Sequence, residues 1–300
     1  MSKLNTPPGV VVGVDGSPGS KVAVQWAARD AELRNAPLTL VHVLPATAGR
    51  WLESSLVPEW MRGQRERGRQ VIDEAVKIAE ESCQRSSAKI DCEMPCAMTV
   101  PALVDLSKDA DLVVVGCLGT GTLRGRHMGS VSSGLAYHAH CPVAVIHDGV
   151  QLNADAARAP VLVGIDGSPG SELATAIAFD EASRRKVGLT ALHTWSDVNV
   201  FDSIVSFAGP GWPALRAVED EILAERLAGW GERYPDVPVR RMIARGEPAR
   251  QLLDSSESAQ LVVVGSHGRG GFAGMLLGSV SAAVMLLARV PVIVAREPRA

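Results

Sequence analysis

Val10-Val11-Val12-Gly13-Val14-Asp15-Gly16-Ser17-Pro18-Gly19-Ser20 returns 151 residues later as Val161-Leu162-Val163-Gly164-Ile165-Asp166-Gly167-Ser168-Pro169-Gly170-Ser171. Each copy is a short apolar run that stops at an aspartate. The run reads as a buried strand, and Gly-Ser-Pro as the turn that opens a helix. Two further blocks repeat in step. Leu112-Val113-Val114-Val115-Gly116 returns as Leu261-Val262-Val263-Val264-Gly265, and Gly129-Ser130-Val131 as Gly278-Ser279-Val280, both at an offset of 149. Three blocks in one order at a nearly constant offset mean two copies of one domain rather than a solenoid of short repeats. The first domain is expected over residues 1–150 and the second over 160–300, joined by a polar, Ala-rich linker at 148–159.

Between the blocks, strand and helix alternate. In the first copy the spacing predicts strands at 10–14, 38–44, 90–94, 112–115 and 143–146. Helices fill the gaps: one from the Ser17-Pro18 turn through Leu33, a long one near 59–85, and others at 100–108 and 130–140. Mostly non-alternating apolar strands separated by helices indicate a parallel sheet covered on both faces. The expected fold class is therefore α/β, with two tandem copies of a doubly wound five-stranded parallel-sheet domain.

Composition excludes several classes. The chain has 300 residues, 46% hydrophobic and 21% charged, with net charge −3. That apolar content rules out disorder for the bulk of the chain. The slight acidic excess argues against non-specific binding to nucleic acid or to an anionic membrane. The longest apolar runs fall far short of the ~20 residues that cross a bilayer. Five cysteines, all in the first half, form no short-range framework and read as reduced thiols. A cytoplasmic protein is expected.

Chemistry concentrates at strand ends, where such sheets bind ligands. One candidate is the aspartate after the first strand, Asp15 or Asp166. The other is the glycine-dense segment after the fourth strand, which obeys Gly-x2-Gly-x9-Gly-Ser in both copies. Glycines let backbone N–H groups approach a phosphate chain and tolerate positive φ. The helix that follows offers its N-terminus to negative charge. Ser130 and Ser279 stand at that helix start as caps or phosphate donors. The candidate residues of the first loop are Gly116, Cys117, Leu118, Gly119, Thr120, Gly121, Thr122, Gly129, Ser130 and Val131. Those of the second are Gly265, Ser266, His267, Gly268, Arg269, Gly270, Gly271, Gly278, Ser279 and Val280. Gly13 and Gly164, inside the first strands, would let a nucleotide approach the backbone. No Gly-Lys-Ser/Thr follows the glycines, and the loop follows the fourth strand rather than the first. It is neither a Walker A loop nor a Rossmann fingerprint.

With these motifs the chain resembles the universal stress protein family, and over its full length the tandem type found in mycobacteria. The resemblance implies an adenine nucleotide α hydrolase-like fold and one ATP per domain; Mg is an option for an accompanying ion, whose identity the sequence does not name. It implies contacts at Asp15, Gly116, Gly119, Gly129, Ser130 and Val131, and at Asp166, Gly265, Gly268, Gly278, Ser279 and Val280. It places adenine contacts at Val43 and Thr194, the latter a polar departure from the pattern. Asp197, just past the second copy's second strand, is a further candidate for base or ribose. The implied function is a nucleotide-dependent regulator of stress response or growth arrest, acting through a protein partner, with a homodimer of tandem chains as an option. The alternative is a slow ATPase or nucleotide-transferring enzyme. Against it, no Ser/His/Asp or Cys/His constellation recurs in both copies. His42 and His193 do recur, but inside apolar strands, as core histidines would. His138, His140, Cys141 and Cys117 suggest a metal cluster that the second copy lacks, so the structural reading is favoured. Cys117 also invites a redox reading. Trp51, Trp60, Trp195 and Trp212 are expected to pack the interface between halves or line a partner surface.

Overall fold

The computed structural model describes residues 9–45, 57–83, 89–119, 128–150, 152, 155–195, 212–269 and 276–296. Backbone contacts divide the chain into two units, 1–150 with 296–300, and 151–295. The first unit holds strands β1 (Val10–Gly13), β2 (Leu38–Val41), β3 (Ile90–Glu93), β4 (Leu112–Gly116) and β5 (Val143–Ile146). Its helices are α1 (Pro18–Arg34), α2 (Val57–Ser82), α3 (Thr99–Leu106) and α4 (Ser130–His138). All strand pairings are parallel, in the order β5-β4-β1-β2-β3. Val10 pairs with both Leu38 and Leu112, so β1 is central. It is accordingly the run without polar alternation, with Val10, Val11 and Val12 no more than 1% exposed.

The second unit repeats this with β6 (Val161–Gly164), β7 (Leu189–Trp195), β8 (Val239–Arg245), β9 (Leu261–Gly265) and β10 (Val292–Ala295), in the order β10-β9-β6-β7-β8. Its helices are α5 (Pro169–Arg185), α6 (Trp212–Arg226), α7 (Trp230–Arg233), α8 (Pro248–Ser256) and α9 (Ser279–Leu287). The α/β architecture expected from the repeats is the one observed. Within the stretch 148–159, a single turn of 3-10 helix at Ala156–Arg158 is tied to the second unit by the Gln260 side-chain amide, which donates to Ala157 and Ala159 carbonyls.

The second strand is shorter than its apolar run predicts. It ends at Val41, and Leu44–Pro45 pairs separately with Cys96–Ala97. Winding reverses between β1 and β4, and between β6 and β9, so the carboxyl ends of those strands open a crevice in each unit.

Candidate functional site

Each crevice has two walls. The first is the aspartate turn. Asp15 Oδ1 accepts from the Ser17 amide at 3.0 Å, a local side-chain turn that reverses the chain after β1. Ser17 then caps α1 by accepting from the Ser20 amide at 3.2 Å, with Pro18 opening the helix. Gly16 carries φ +80, a left-handed conformation that favours glycine. The second unit copies this with Gly167 at φ +76 and Ser168 as cap. There Asp166 Oδ1 accepts from both the Ser168 amide and its hydroxyl, at 2.9 and 2.6 Å, while Oδ2 accepts from the Arg269 amide at 3.1 Å. Burial works to raise the Asp166 pKa. The Ser168, Arg269 and Ser171 hydrogen bonds outweigh it and hold the carboxyl below its usual value.

The glycine loop forms the second wall. A Cβ on Gly119 would stand 2.8 Å from Asp15 Oδ2, and one on Gly268 2.5 Å from Asp166 Oδ2. The two motifs, about a hundred residues apart in sequence, therefore touch in both units. Gly129 and Gly278 follow, each donating its amide to a loop carbonyl, Cys117 and Ser266 respectively. Helices α4 and α9 start there with no side-chain cap. In α4 the first intrahelical bond runs from the Ser133 amide to Gly129, so the amides of Ser130, Val131 and Ser132 precede the ladder and face the helix entrance. Uncapped amides and the helix dipole beside a glycine wall can hold negative charge, and the aspartate opposite suits hydroxyl donors.

Several sequence readings change at this level. Gly129 and Gly278, not Ser130 and Ser279, occupy the cap positions, and both serines are exposed first-turn residues. Gly13 and Gly164 are glycine because Leu103 and Leu252 press on them. A Cβ at either position would stand 3.3 Å from the leucine, so the reason is helix packing rather than ligand approach. Gly116 and Gly265 likewise admit the first turns of α1 and α5, whose Gly19 and Gly170 backbones would meet a Cβ at 2.8 and 2.6 Å. Positive φ falls at Gly16 and Gly167, not at the described loop glycines. The Cys117 side chain is buried, and burial, with the Asp148 charge second, pushes its thiol up to about 11. The redox reading is thereby disfavoured.

His193 is buried within β7, whereas His42 is half-buried just past β2; each sets Nδ1 against the carbonyl of the residue that follows the unit's first strand, Val14 at 2.8 Å and Ile165 at 2.6 Å. Among the described residues no group of three or more metal-ligating side chains converges, and all five cysteines are free. Val43 lies half-buried just past β2, and Thr194 pairs with Ala244 near the end of β7. Leu118 and Ser266 line their loops half-buried, His267 contacts the Ser266 hydroxyl through Nδ1 at 3.1 Å, and Val280 sits half-buried in the first turn of α9. Thr120, Gly121, Thr122, Asp197, Gly270, Gly271 and Trp51 lie outside the described residues. Trp60 is exposed on α2, and Arg245 lies over the Trp195 ring at 5.9 Å. Sequence reading missed Ser132 and Ser281, whose hydroxyls donate to Cys117 and Gly265 carbonyls and fasten the helix starts to the strand ends. Their shared position two residues after Gly-Ser was the available signal.

A family model described as the universal stress protein family matches residues 9–147 and again 158–296. Universal stress protein Rv2623 of Mycobacterium tuberculosis is 57% identical over 298 residues, covering 99% of either chain. Universal stress protein Rv2005c of the same organism is 53% identical, covering 99% of this chain and 100% of its own. The crystal structure of a universal stress protein from Archaeoglobus fulgidus aligns at 22% identity with TM-score 0.68, covering 96% and 98% of the two chains, a likeness of fold. No described helix is long and apolar enough to cross a membrane. Matched once in each half, and along its whole length by relatives sharing more than half their residues, the chain belongs to the universal stress protein family as a tandem of two such domains.

Proposed function

We propose that each unit binds one ATP in its crevice and that the chain acts as a nucleotide-dependent regulator of stress response or growth arrest. The observation that carries this is the contact of the aspartate turn with the glycine loop beside an uncapped helix start, in both units. The phosphates fit against Gly119, Gly129 and the first amides of α4, and against Gly268, Gly278 and those of α9. Asp15 and Asp166 each keep a carboxylate oxygen beside the loop glycine, where a ribose hydroxyl can donate. Val43 and Thr194 are the proposed adenine contacts, and Asp197 a further one. The regulatory role rests on family membership. It is favoured over turnover because, among the described residues, no histidine-based acid–base pair is positioned in both crevices. A nucleotide that binds only the folded state stabilises it by about 2.7 kcal/mol at 100 times its dissociation constant.

The test is mass spectrometry of nucleotide released from freshly purified protein, with stoichiometry by calorimetry. About two ATP per chain are expected from two such helix-start sites, with no ADP accumulating over hours. Steady ADP release from repurified protein would favour the slow ATPase, and protein that neither carries nor binds nucleotide removes the reading.

A further inference from the structure

Beside the second unit's crevice, between α5 and α6, lies a cavity of about 190 Å³ lined by Gly167, Ser171, Glu172, Thr175, Arg226 and Trp230. Arg226 is the last residue of α6, and its guanidinium lies so close to Gly167 that a Cβ there would overlap it. Its Nε is buried with no acceptor, and no carboxylate among the described residues pairs with it. A buried donor left unmade is costly, and an arginine is charged at any ordinary pH, so this cation calls for an acceptor. The nearby hydroxyls are engaged elsewhere, and the Ser171 oxygen already accepts from the Gly167 amide at 2.9 Å. Ser171 donates to the Ser168 carbonyl at 3.0 Å and Thr175 to the Ser171 carbonyl at 2.8 Å. The far wall is rigid, because Trp230 stacks on Phe179 with centroids 5.0 Å apart and planes 9° apart. The first unit shows what the seam looks like when it has no such task. There Val71 stands against Gly16, the space shrinks to about 10 Å³, and Lys21 and Glu74 close it as an ion pair at 2.5 Å.

We propose that this cavity is a second ligand site, distinct from the nucleotide crevice, in which Arg226 binds the oxyanion of a small molecule, a phosphate or carboxylate group. Planar guanidinium recognises either group through paired N–H donors.

The test follows two resonances in 15N-labelled full-length protein, the Arg226 Nε–H and the Trp230 indole N–H, assigned by their loss in Arg226→Val and Trp230→Phe. Inorganic phosphate and acetate are titrated separately. Saturable movement of both resonances is expected. Phosphate alone saturating identifies a phosphoryl ligand, acetate alone a carboxylate, and both an unselective oxyanion site. In Arg226→Val the Trp230 resonance should no longer respond. Valine is tolerated at the equivalent place in the first unit, and Arg226→Lys, expected to weaken binding by about tenfold or more, serves if that variant does not fold. Two results overturn the proposal. One is no saturable response to either anion. The other is a saturable Trp230 response that persists in Arg226→Val, which would place the oxyanion away from the guanidinium. Because the readout is at Arg226 itself, the outcome stands apart from whether ATP binds in the crevice.

Discussion

At Gly16 the seam between α1 and α2 meets Val71, while at Gly167 the matching seam between α5 and α6 meets Arg226. Beside these seams the two crevices share the same parts: a serine cap, a left-handed glycine, and an aspartate against a loop glycine. The divergence runs through the whole flank. In the first unit Ile72, Ala75 and Ala79 bury one stripe of a 26-residue helix. In the second, a 15-residue helix buries Leu223 and sends Glu219 to His193 Nε2 at 3.2 Å. A short α7 then adds Trp230 and, at its C-cap, Tyr234, both stacked on Phe179. The crevice is built from backbone approach and glycine, which tolerates no extra atom. The flank is built from side-chain volume, which many combinations can fill.

The agreement is broken most severely at the loop glycines. Gly119→Ala drives a methyl group into Asp15, and Gly268→Ala one into Asp166, without entering the apolar core. Either change should empty its own site, taking bound ATP from about two per chain to about one, and the pair together to none. Calorimetric stoichiometry checks this. Loss through only one of the two substitutions would mean that one crevice has kept the geometry without the ligand. Unaltered occupancy in both folded variants would place the phosphates elsewhere.

Next in size come Gly116→Ala and Gly265→Ala. Here the new Cβ meets helix backbone at 2.8 and 2.6 Å, and neither chain can turn aside as a flexible side chain would. Each should cost about 1–3 kcal/mol or more in its own unit. Melting is best followed by the unit's own tryptophans, since two units need not unfold together. Both variants should lose stability to a similar degree. A harmless Gly265→Ala beside a damaging Gly116→Ala would show that the second seam has more room than its static geometry implies.

This second class of glycine also marks what the sequence could and could not disclose. The α/β alternation was legible because buried strands write themselves as runs such as Leu112–Val115, and the crevice because strand-end motifs recur in order. The reasons behind individual glycines were not legible. Gly13 answers to Leu103, ninety residues away, and no local pattern reports such a contact. The caps were misplaced by one residue, since a hydroxyl next to a glycine draws the assignment although the glycine takes the cap position. Ser17 and Ser168 could have been read as caps from the proline that follows each. Arg226 and Trp230 gave no signal, because internal comparison finds only what both halves share.

The smallest expected effect separates the two aspartates. The Ser168 hydroxyl donates to Asp166 at 2.6 Å and also reaches the His267 carbonyl at 3.2 Å, whereas the Ser17 hydroxyl is directed at the Leu118 carbonyl at 3.5 Å. Because the folded Asp166 pKa lies below its unfolded value of 3.8, its ionised form stabilises the second unit. That stabilisation is complete above the unfolded value and is lost as pH falls through the lower folded one. Between neutral pH and about 5 the contribution should therefore be flat, and it should decline only below about 4. Asp166→Asn removes the titrating group, so the acid limb of the second unit's stability should become shallower, by less than either glycine effect because the carboxyl is only half-buried. Urea melts at pH 3, 4, 5 and 7, read from the second unit's tryptophans, measure the slope. A variant that loses as much stability below pH 4 as the wild type would mean that the Ser168 and Arg269 hydrogen bonds hold the neutral carboxyl as well as the charged one.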